Sequence, residues 1–391
     1  MTSLERKERR YQRRQSKRKL RLAIRNAELG TLADVFSFHN LFYDGLKCCR
    51  NVRWKQSTQN FERHLFSRTA KRRRSILDGT WKQGPCHHFP LSERGKTREI
   101  DAPHIDDRQV HKTETEKVLI PLYSPSLIYV NGASQKNKGL HWHFEILKKE
   151  LRRHYRKHGK EGGILLIDLK GFFPNAPRVE VLKRHEKLIL NPEIKALADK
   201  IVLSCPETSP GRGLPLGVEP SQQEMVALPS AIDNYVKCQL SIEMFGHYMD
   251  DYYLIHYDLE YLKFLRDKII SMFDDMGMLV NRDKCHIIPF TKPFKWCKAK
   301  FTITDTGHVI MSGNRDGMKR AKRKLKKFVR EYKEGKRPYS DLTQFMESQC
   351  AYYKNYNNHA RLLRLNRIFF ALTGQPYICA KQRKSLLRNA A

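Results

Sequence analysis

The chain has 391 residues, 40% of them hydrophobic, so it can bury a sizeable core and is expected to fold as two to three lobes. Its 75 Lys and Arg outnumber its 41 Asp and Glu, and the formal net charge of +34 favours a polyanion such as nucleic acid as a partner. No apolar run approaches the ~20 residues of a membrane span, and residues 1–30 are too charged for a secretion signal, so we expect a soluble, cytoplasmic protein with no membrane partner.

The first thirty residues predict a basic helix, because they hold eleven Lys and Arg with apolar side chains thinly spaced between them. Charges of one sign at this density repel one another unless phosphates neutralise them, so RNA binding is favoured over a solvated arm. A helical stretch from Trp54 to Ala70 leads into a second basic run, Lys71–Arg74. We therefore assign residues 1–83 to a basic, helical extension.

Short segments with β-like composition follow. Cys86–Leu91 and Thr97–Ala102 predict strands, and the polar run Asp106–Val110 comes next. The neighbouring side chains of Cys86–His88 cannot easily surround one ion, so we interpret this cluster as a loop rather than a metal site. The nine cysteines include no CxxC pair, which indicates reduced thiols. Residues 141–158 then alternate apolar and basic positions at helical spacing, which predicts a helix.

Two predicted strands carry acids at their ends. Gly163–Asp168 is an apolar strand that closes on an acid, and Phe245–His256 places Asp250 and Asp251 between apolar stretches at a predicted hairpin turn. A buried charge is costly unless a partner or a metal compensates it. Two such strands, far apart in sequence, therefore suggest a single metal site.

This acid set fits one kind of chemistry. Hard carboxylate oxygens suit Mg²⁺, and nucleotidyl transfer needs two divalent cations about 3.5–4 Å apart, one for the attacking 3′-hydroxyl and one for the triphosphate. An Asp-Asp pair alone is equally compatible with an ordinary β-turn. The motifs around the acids therefore decide the interpretation.

The residues after Gly313 predict three basic helices, at about 315–332, 340–358 and 360–372, and a frayed basic tail over the final ten residues. On the first of these helices, four apolar side chains share one face while Lys and Arg cover the others. They are Met318, Ala321, Leu325 and Phe328.

The order of motifs over roughly residues 90–360 resembles that of prokaryotic reverse transcriptases. Tyr248–Asp251 is similar to the YxDD box, and Asp168, followed five positions later by Phe173, resembles motif A. Gly213–Gln222 resembles motif B, whose glycines allow close approach of the backbone to the template and nucleotide. The resemblance implies an α+β right-hand polymerase fold. Its fingers would span 84–162, its palm with an antiparallel sheet 163–312, and its helical thumb and tail 313–391.

The resemblance also implies which residues perform the reaction. Asp168, Asp250 and Asp251 would hold two Mg²⁺ ions, with Mn²⁺ as a substitute. Lys284 stands in a segment similar to motif D and would protonate the pyrophosphate leaving group, the alternative being a plain surface lysine.

Four residues would bind the incoming nucleotide. Phe173 would act as the steric gate against a ribose 2′-hydroxyl, so the product would be DNA, and Gln222 would line the nucleotide pocket. Lys96 and Arg98, in a segment similar to the fingers of group II intron and retron enzymes, would meet the triphosphate.

Four further residues would contact the template or primer. Lys136 and Lys138 would bind template phosphates, and Gly217 would lie close to the template. Trp296 matches the apolar hairpin that grips the primer end, although plain core packing explains it equally well.

Motif B narrows the choice within the family. Leu216-Gly217 and Ser221-Gln222 differ from the usual retron and intron forms and resemble defence-associated, abortive-infection and diversity-generating enzymes. We expect no intron mobility, since no Cys/His-rich endonuclease module follows and the tail is too short for a thumb and an RNase H domain. We favour anti-phage defence over diversification because of the basic extension.

The expected partners are a structured non-coding RNA, copied in part as template, the RNA/DNA duplex and dNTPs. A second protein or further copies of the chain would also fit the resemblance. Two other functions stay open: an untemplated DNA polymerase primed from a protein hydroxyl, and an RNA-binding scaffold with idle chemistry, against which the intact acid triad argues.

Overall fold

The computed structural model describes residues 2–93, 96–313, 315–354 and 356–378. The predicted basic tail lies outside these residues. The α-helices are α1 (Ser3–Leu29), α2 (Leu32–Val35), α3 (Phe38–Cys49), α4 (Gln56–Arg63), α5 (Leu65–Leu77), α6 (Ile105–Glu114), α7 (Ile120–Tyr123), α8 (Leu140–His158), α9 (Arg178–Leu188), α10 (Pro192–Leu203), α11 (Glu219–Ala227), α12 (Ser230–Asn234), α13 (Leu259–Asp275), α14 (Arg315–Lys333), α15 (Tyr339–Lys354) and α16 (His359–Thr373). The strands are β1 (His87–Glu93), β2 (Lys96–Ala102), β3 (Gly163–Asp168), β4 (Phe245–Tyr248), β5 (Asp251–His256), β6 (His286–Pro289), β7 (Phe294–Trp296), β8 (Ala299–Ile303) and β9 (Val309–Ser312).

The strands form three sheets. β1 and β2 make a hairpin, four strands lie in the order β4-β5-β3-β6, and three lie in the order β7-β8-β9. The pairs β1-β2, β3-β6, β7-β8 and β8-β9 are antiparallel. The α+β class with antiparallel sheets is therefore confirmed, while the finer division into fingers, palm and thumb stays a prediction.

The chain divides into two compact units. Unit 1 comprises Met1–Gly139, Ile167–Tyr252 and Phe264–Cys285, and unit 2 comprises Leu140–Leu166, Tyr253–Lys263 and His286–Ala391. The four predicted segments divide the chain along its sequence, and their boundaries stay predictions. None of the helices in the described part is both long and apolar enough to cross a membrane.

In unit 1, the predicted basic helix is confirmed as α1. Its C-terminal part is anchored to the core: Leu22 and Leu29 pack against a cluster that includes Trp81, and the Asn26 side chain donates to the Leu188 carbonyl at 3.0 Å. The Leu190 amide in turn donates to the Asn26 Oδ1 at 2.8 Å. The preceding turns of α1 are mostly exposed and strongly basic.

Two local predictions differ from the structure of unit 1. The stretch predicted as one helix forms α4 and α5, because the backbone leaves the helical region at His64, with φ −106° and ψ 17°. The interpretation of Cys86–His88 as a loop is wrong for its histidines, which begin β1. His88 is held there across the strand pair by Asp101 at 2.9 Å and Glu99 at 3.0 Å.

Unit 2 contains the predicted C-terminal helices, confirmed as α14, α15 and α16. Met318, Ala321 and Leu325 are buried against the other two helices, as the predicted apolar face requires. Phe328 is only partly buried, and the guanidinium carbon of Arg337 lies 3.9 Å from the centroid of its ring. The helix predicted over 141–158 is likewise confirmed as α8.

Candidate active site

The acids at the ends of β3 and of the β4-β5 hairpin meet within unit 1. The Leu169 amide donates to the Asp250 carbonyl at 3.1 Å, so the chain leaving β3 lies directly beside the hairpin turn. On the other side, the Asn281 amide donates to the Asp168 carbonyl at 2.8 Å. These backbone contacts bring residues more than 80 positions apart next to one another, while their role as one metal site stays a prediction.

Lys284 joins this site through Asp168. Its Nζ donates to the Asp168 Oδ2 at 2.8 Å, and the Asn281 side-chain amide donates to the same oxygen at 3.1 Å. The hydrogen bond to Asp168 raises the pKa of Lys284, and the negative charges of Asp168, Asp251 and Asp250 raise it further. Lys284 is therefore held in its positively charged form next to the acids, although its side chain is 54% exposed.

The pKa of Asp250 also reflects the charged side chains that surround it. Burial raises the pKa of this carboxyl above its ordinary value, and the negative charge of Asp168 raises it further. The positive charges of Arg98 and Lys284 act in the opposite direction. A carboxylate that is destabilised by burial and by a neighbouring carboxylate is one that a cation would stabilise.

The donor set fits Mg²⁺ by its chemistry, since Asp168, Asp250 and Asp251 offer only hard carboxylate oxygens. It is not arranged as a finished cage: among the residues that the structure describes, no three His, Cys, Asp or Glu side chains form a group that could hold a metal ion. The Asp168 oxygen that faces Lys284 is already shared with two donors. A metal ion bound at this oxygen would therefore compete with the Lys284 ammonium.

Beside the acids lies a cavity of about 550 Å³ in unit 1. Three of the predicted site residues line it, namely Phe173, Gly217 and Gln222. Met249, the residue before Asp250, lines it as well. The remaining lining residues are Lys47, Cys48, Arg108, His111, Lys112, Leu216, Val218 and Glu219.

Backbone hydrogen bonds fix the loop that forms one wall of this cavity. The Leu214 amide donates to the Phe173 carbonyl at 2.9 Å, and the Asp101 amide of β2 donates to the Leu216 carbonyl at 3.1 Å. Gly217 has φ +107°, and a Cβ at this position would lie 3.2 Å from the Asp101 carbonyl oxygen. Any other residue would therefore strain the backbone and crowd β2.

The cavity is also lined by cations that are not among the predicted site residues. Lys47 of α3 and Lys112 of α6 both pair with Glu116, Lys112 at 3.0 Å. Arg108, also of α6, is exposed and has no ion-pair partner in the part of the chain that the structure describes. Arg108 follows Asp107 in the fingers-like segment, which is a sequence signal for it; Lys47 has none, because only tertiary packing brings α3 to the cavity.

The other predicted site residues have varied surroundings. The Lys96 side chain lies outside what the structure describes, and Lys136 is exposed. The Lys138 amine points inward, donating to the Tyr129 carbonyl at 2.7 Å, and burial lowers its pKa. Trp296 is buried in unit 2 among aromatic rings. Their contacts with triphosphate, template or primer stay predictions.

No protein-family model matches the chain, and no curated protein matches it. Among solved structures, the chain is similar to telomerase from Candida albicans in complex with the TWJ fragment of telomeric RNA. The two share 14% identity and a TM-score of 0.46, over 78% of this chain and 57% of that one.

Two structures of telomerase from Candida tropicalis are also similar. The complex with the TWJ fragment of telomeric RNA has 12% identity and a TM-score of 0.46, over 74% of this chain and 53% of that one. The apo form, truncated from the C-terminal domain, has 12% identity and a TM-score of 0.42, over 62% of this chain and 59% of that one. The chain therefore spans a little over half the length of the telomerase chains it matches.

Proposed function

We propose that the chain is a reverse transcriptase that synthesises DNA on an RNA template. The observation that carries the proposal is the placement of Asp168, Asp250 and Lys284 next to a cavity lined by Phe173 and Gln222. Nucleotidyl transfer needs carboxylates for metal ions, a proton donor for the leaving group and a pocket for the nucleotide. One site in unit 1 offers all three.

Each group has a role in this proposal. Asp168, Asp250 and Asp251 hold two Mg²⁺ ions, which when bound supply activation of the 3′-hydroxyl and charge neutralisation of the triphosphate. Lys284, positively charged and bound to Asp168, gives a proton to the pyrophosphate as it leaves. Arg98 lies close enough to Asp250 for its positive charge to oppose the rise in the pKa of that carboxyl. In this proposal Arg98 binds the triphosphate together with Lys96.

Phe173 is proposed to exclude ribonucleotides by contact with the 2′-hydroxyl. Phe173→Ala should raise incorporation of rNTPs relative to dNTPs by about tenfold or more, because the ring that fills this side of the cavity is removed. Single-nucleotide extension of a primer with matched dNTP and rNTP measures the ratio. Phe173→Tyr keeps the ring and should keep the selection. An unchanged preference for dNTPs in Phe173→Ala would reject Phe173 as the gate.

The proposed polyanionic partner is RNA, and α1 is the proposed contact. Arg13, Lys17 and Arg21 recur every four residues along one exposed face of this helix, which is about 40 Å long. Ten of the eleven basic residues of α1 cluster on the half of the helix that includes this face, while Leu22 and Leu29 pack on the core. A row of cations on this face fits the phosphates of an RNA backbone.

Replacing Arg13, Lys17 and Arg21 by Gln should weaken RNA binding. The slope of log K against log salt concentration is negative, and its magnitude should decrease by about 2 to 3. Each lost phosphate contact reduces this magnitude by about 0.7 to 0.9. Fluorescence anisotropy at several salt concentrations measures this slope. A matched control removes three lysines already paired with neighbouring carboxylates: Lys183, Lys263 and Lys336. Equal slopes for the two variants would show that α1 contributes only net charge.

We place this copying in anti-phage defence, with a non-coding RNA as template, and keep diversification as the alternative. The experiment is to purify the chain expressed from its native locus, sequence the RNA that co-purifies, and supply Mg²⁺ and dNTPs to wild type and Asp250→Asn. DNA complementary to the bound RNA, made only by wild type, supports the proposal. DNA without complementarity, joined to a tyrosine, supports the untemplated polymerase. RNA binding with no DNA in either sample supports the idle scaffold.

A further inference from the structure

His247 lies on β4, three residues before Asp250, and is fully buried. Both of its ring nitrogens have partners within unit 1. Nε2 lies 2.9 Å from the carbonyl oxygen of Met249, the residue at the tip of the hairpin, and Nδ1 lies 2.9 Å from the Oδ2 of Asp233 on α12. A single ring thus connects a buried carboxylate to the turn that carries the acids.

The direction of the hydrogen bond to Met249 does not depend on the protonation state of the pair. A carbonyl oxygen can only accept, so the His247 Nε2 must donate. If Asp233 is ionised it accepts from Nδ1–H, and if it is protonated it donates to Nδ1. In both cases Asp233 fixes the ring so that Nε2–H points at the Met249 carbonyl.

Within the described residues, the Asp233 carboxylate makes one hydrogen bond, the one to His247. It is fully buried, and its other oxygen, Oδ1, has no hydrogen-bond partner among the described residues. Keeping a buried carboxyl with one hydrogen-bond partner is costly, even in the first turn of α12, where Asp233 lies. The contact with His247 is therefore what the Asp233 side chain contributes to the fold.

The turn needs a restraint of this kind. Met249 has φ +56°, a left-handed backbone conformation that residues other than glycine rarely adopt, and it stands directly before Asp250 and Asp251. The His247 ring also stacks on Tyr252 of β5, with centroids 4.3 Å apart and planes 10° apart. It therefore touches the hairpin on both sides of the turn.

We propose that His247, oriented by Asp233, is a positioning residue that donates a hydrogen bond to the Met249 carbonyl. This contact fixes the turn and thereby orients the carboxylates of Asp250 and Asp251 towards their metal ions. The inference rests on the proposed metal-dependent polymerase. The two residues, His247 on β4 and Asp233 on α12, would fix the geometry of the site without contacting substrate or metal. Groups that orient metal ligands in this way typically change metal affinity or activity about 10- to 100-fold when removed.

The test is a double variant, His247→Phe with Asp233→Leu. It keeps a ring to stack on Tyr252 and leaves no unpaired buried carboxylate, so it is designed to fold. The expected result is a kcat for dNTP addition about 10- to 100-fold lower, with KM for dNTP and the affinity for RNA close to those of wild type. The affinity for Mn²⁺, measured by calorimetry without nucleotide, should fall by a similar factor.

Two further variants separate positioning from a general structural role. His247→Gln places an amide donor near the position of Nε2, and it should recover most of the kcat and of the Mn²⁺ affinity. His154→Phe removes another buried histidine, in unit 2, whose Nε2 lies 2.8 Å from the Glu161 carbonyl. It should lower thermal stability while leaving kcat and Mn²⁺ affinity unchanged.

The inference is overturned if the double variant folds and keeps wild-type kcat and Mn²⁺ affinity, or if His247→Gln is as impaired as the double variant. If the double variant does not fold, His247→Phe with Asp233→Asn takes its place in the same two measurements: kcat and Mn²⁺ affinity should fall in it while His247→Gln stays near wild type, and wild-type values in both variants would overturn the inference. A wild-type protein that adds no dNTP would instead refute the proposed polymerase, while the Mn²⁺ affinities would still test the positioning.

Discussion

Asp250→Asn is expected to lower dNTP incorporation by about 10³-fold or more while leaving RNA binding intact. The substitution keeps the shape of the side chain and removes a negative charge that metal ions need. Metal ions contribute several kcal/mol to charge stabilisation in the transition state, and each 1.36 kcal/mol is a factor of ten in rate. Primer extension with labelled dNTP measures the rate, and anisotropy with labelled RNA measures binding.

The matched control is Asp275→Asn, an equal charge change at an exposed acid at the end of α13 in the same unit. It should extend primers at the wild-type rate. If Asp250→Asn keeps full activity, or if both variants lose it equally, Asp250 does not hold the catalytic metal and the assignment of the acids is wrong.

The second large effect is on stability and involves His185. This residue is fully buried on α9, with Nδ1 2.7 Å from the Asp199 Oδ1 and Nε2 2.9 Å from the Glu224 Oε1. Glu224, on α11, also accepts from the Tyr123 hydroxyl at 2.8 Å. The network therefore ties α9 and α10 to the helix that carries Gln222 at the cavity.

His185→Ala should lower the free energy of unfolding by about 3–5 kcal/mol, because it leaves the buried carboxylate of Glu224 without the positive partner that His185 provides. Urea denaturation of wild type and variant measures the difference. A matched control is His39→Ala: His39 is exposed on α3 and makes no salt bridge within the described residues. A loss for His185→Ala no larger than for His39→Ala would contradict a buried ionic network.

The same network predicts a pH dependence. Burial alone disfavours the charged ring, but the charge of Glu224 and the hydrogen bonds to Asp199 and Glu224 outweigh it and raise the pKa of His185 from 6.5 to about 10. Because the folded pKa lies above the unfolded one, the stabilisation is fully present below pH 6.5 and is lost as the pH rises towards about 10. The stability difference between wild type and His185→Gln should shrink over this interval. A constant difference would mean that the ring is neutral.

The elements that the sequence predicts well are those with a local signal. Gly163–Asp168 is a strand with the bounds that its apolar run indicates, and the turn at Asp250 separates two strands as the paired acids suggest. The α1 helix follows from its dense charge and lack of breakers. The sequence does not indicate the break between α4 and α5 at His64, because no Gly or Pro stands there.

Long-range contacts account for what the sequence does not reveal. Lys47 reaches the cavity only through the packing of α3, and Lys138 turns to carbonyl groups instead of solvent. His247 looks like an ordinary strand residue until Asp233, on a separate helix, is found beside it. The buried partners of His185 come from two other helices and likewise leave no local pattern.

Addition of single nucleotides on defined templates tests most directly whether the chain copies RNA into DNA. A primer annealed to RNAs that differ only in the next template base is incubated with the protein, Mg²⁺ and one dNTP at a time. We expect each RNA to direct addition of its complementary dNTP and Asp250→Asn to add none. Addition that ignores the template base, or no addition with either Mg²⁺ or Mn²⁺, would contradict an RNA-templated DNA polymerase.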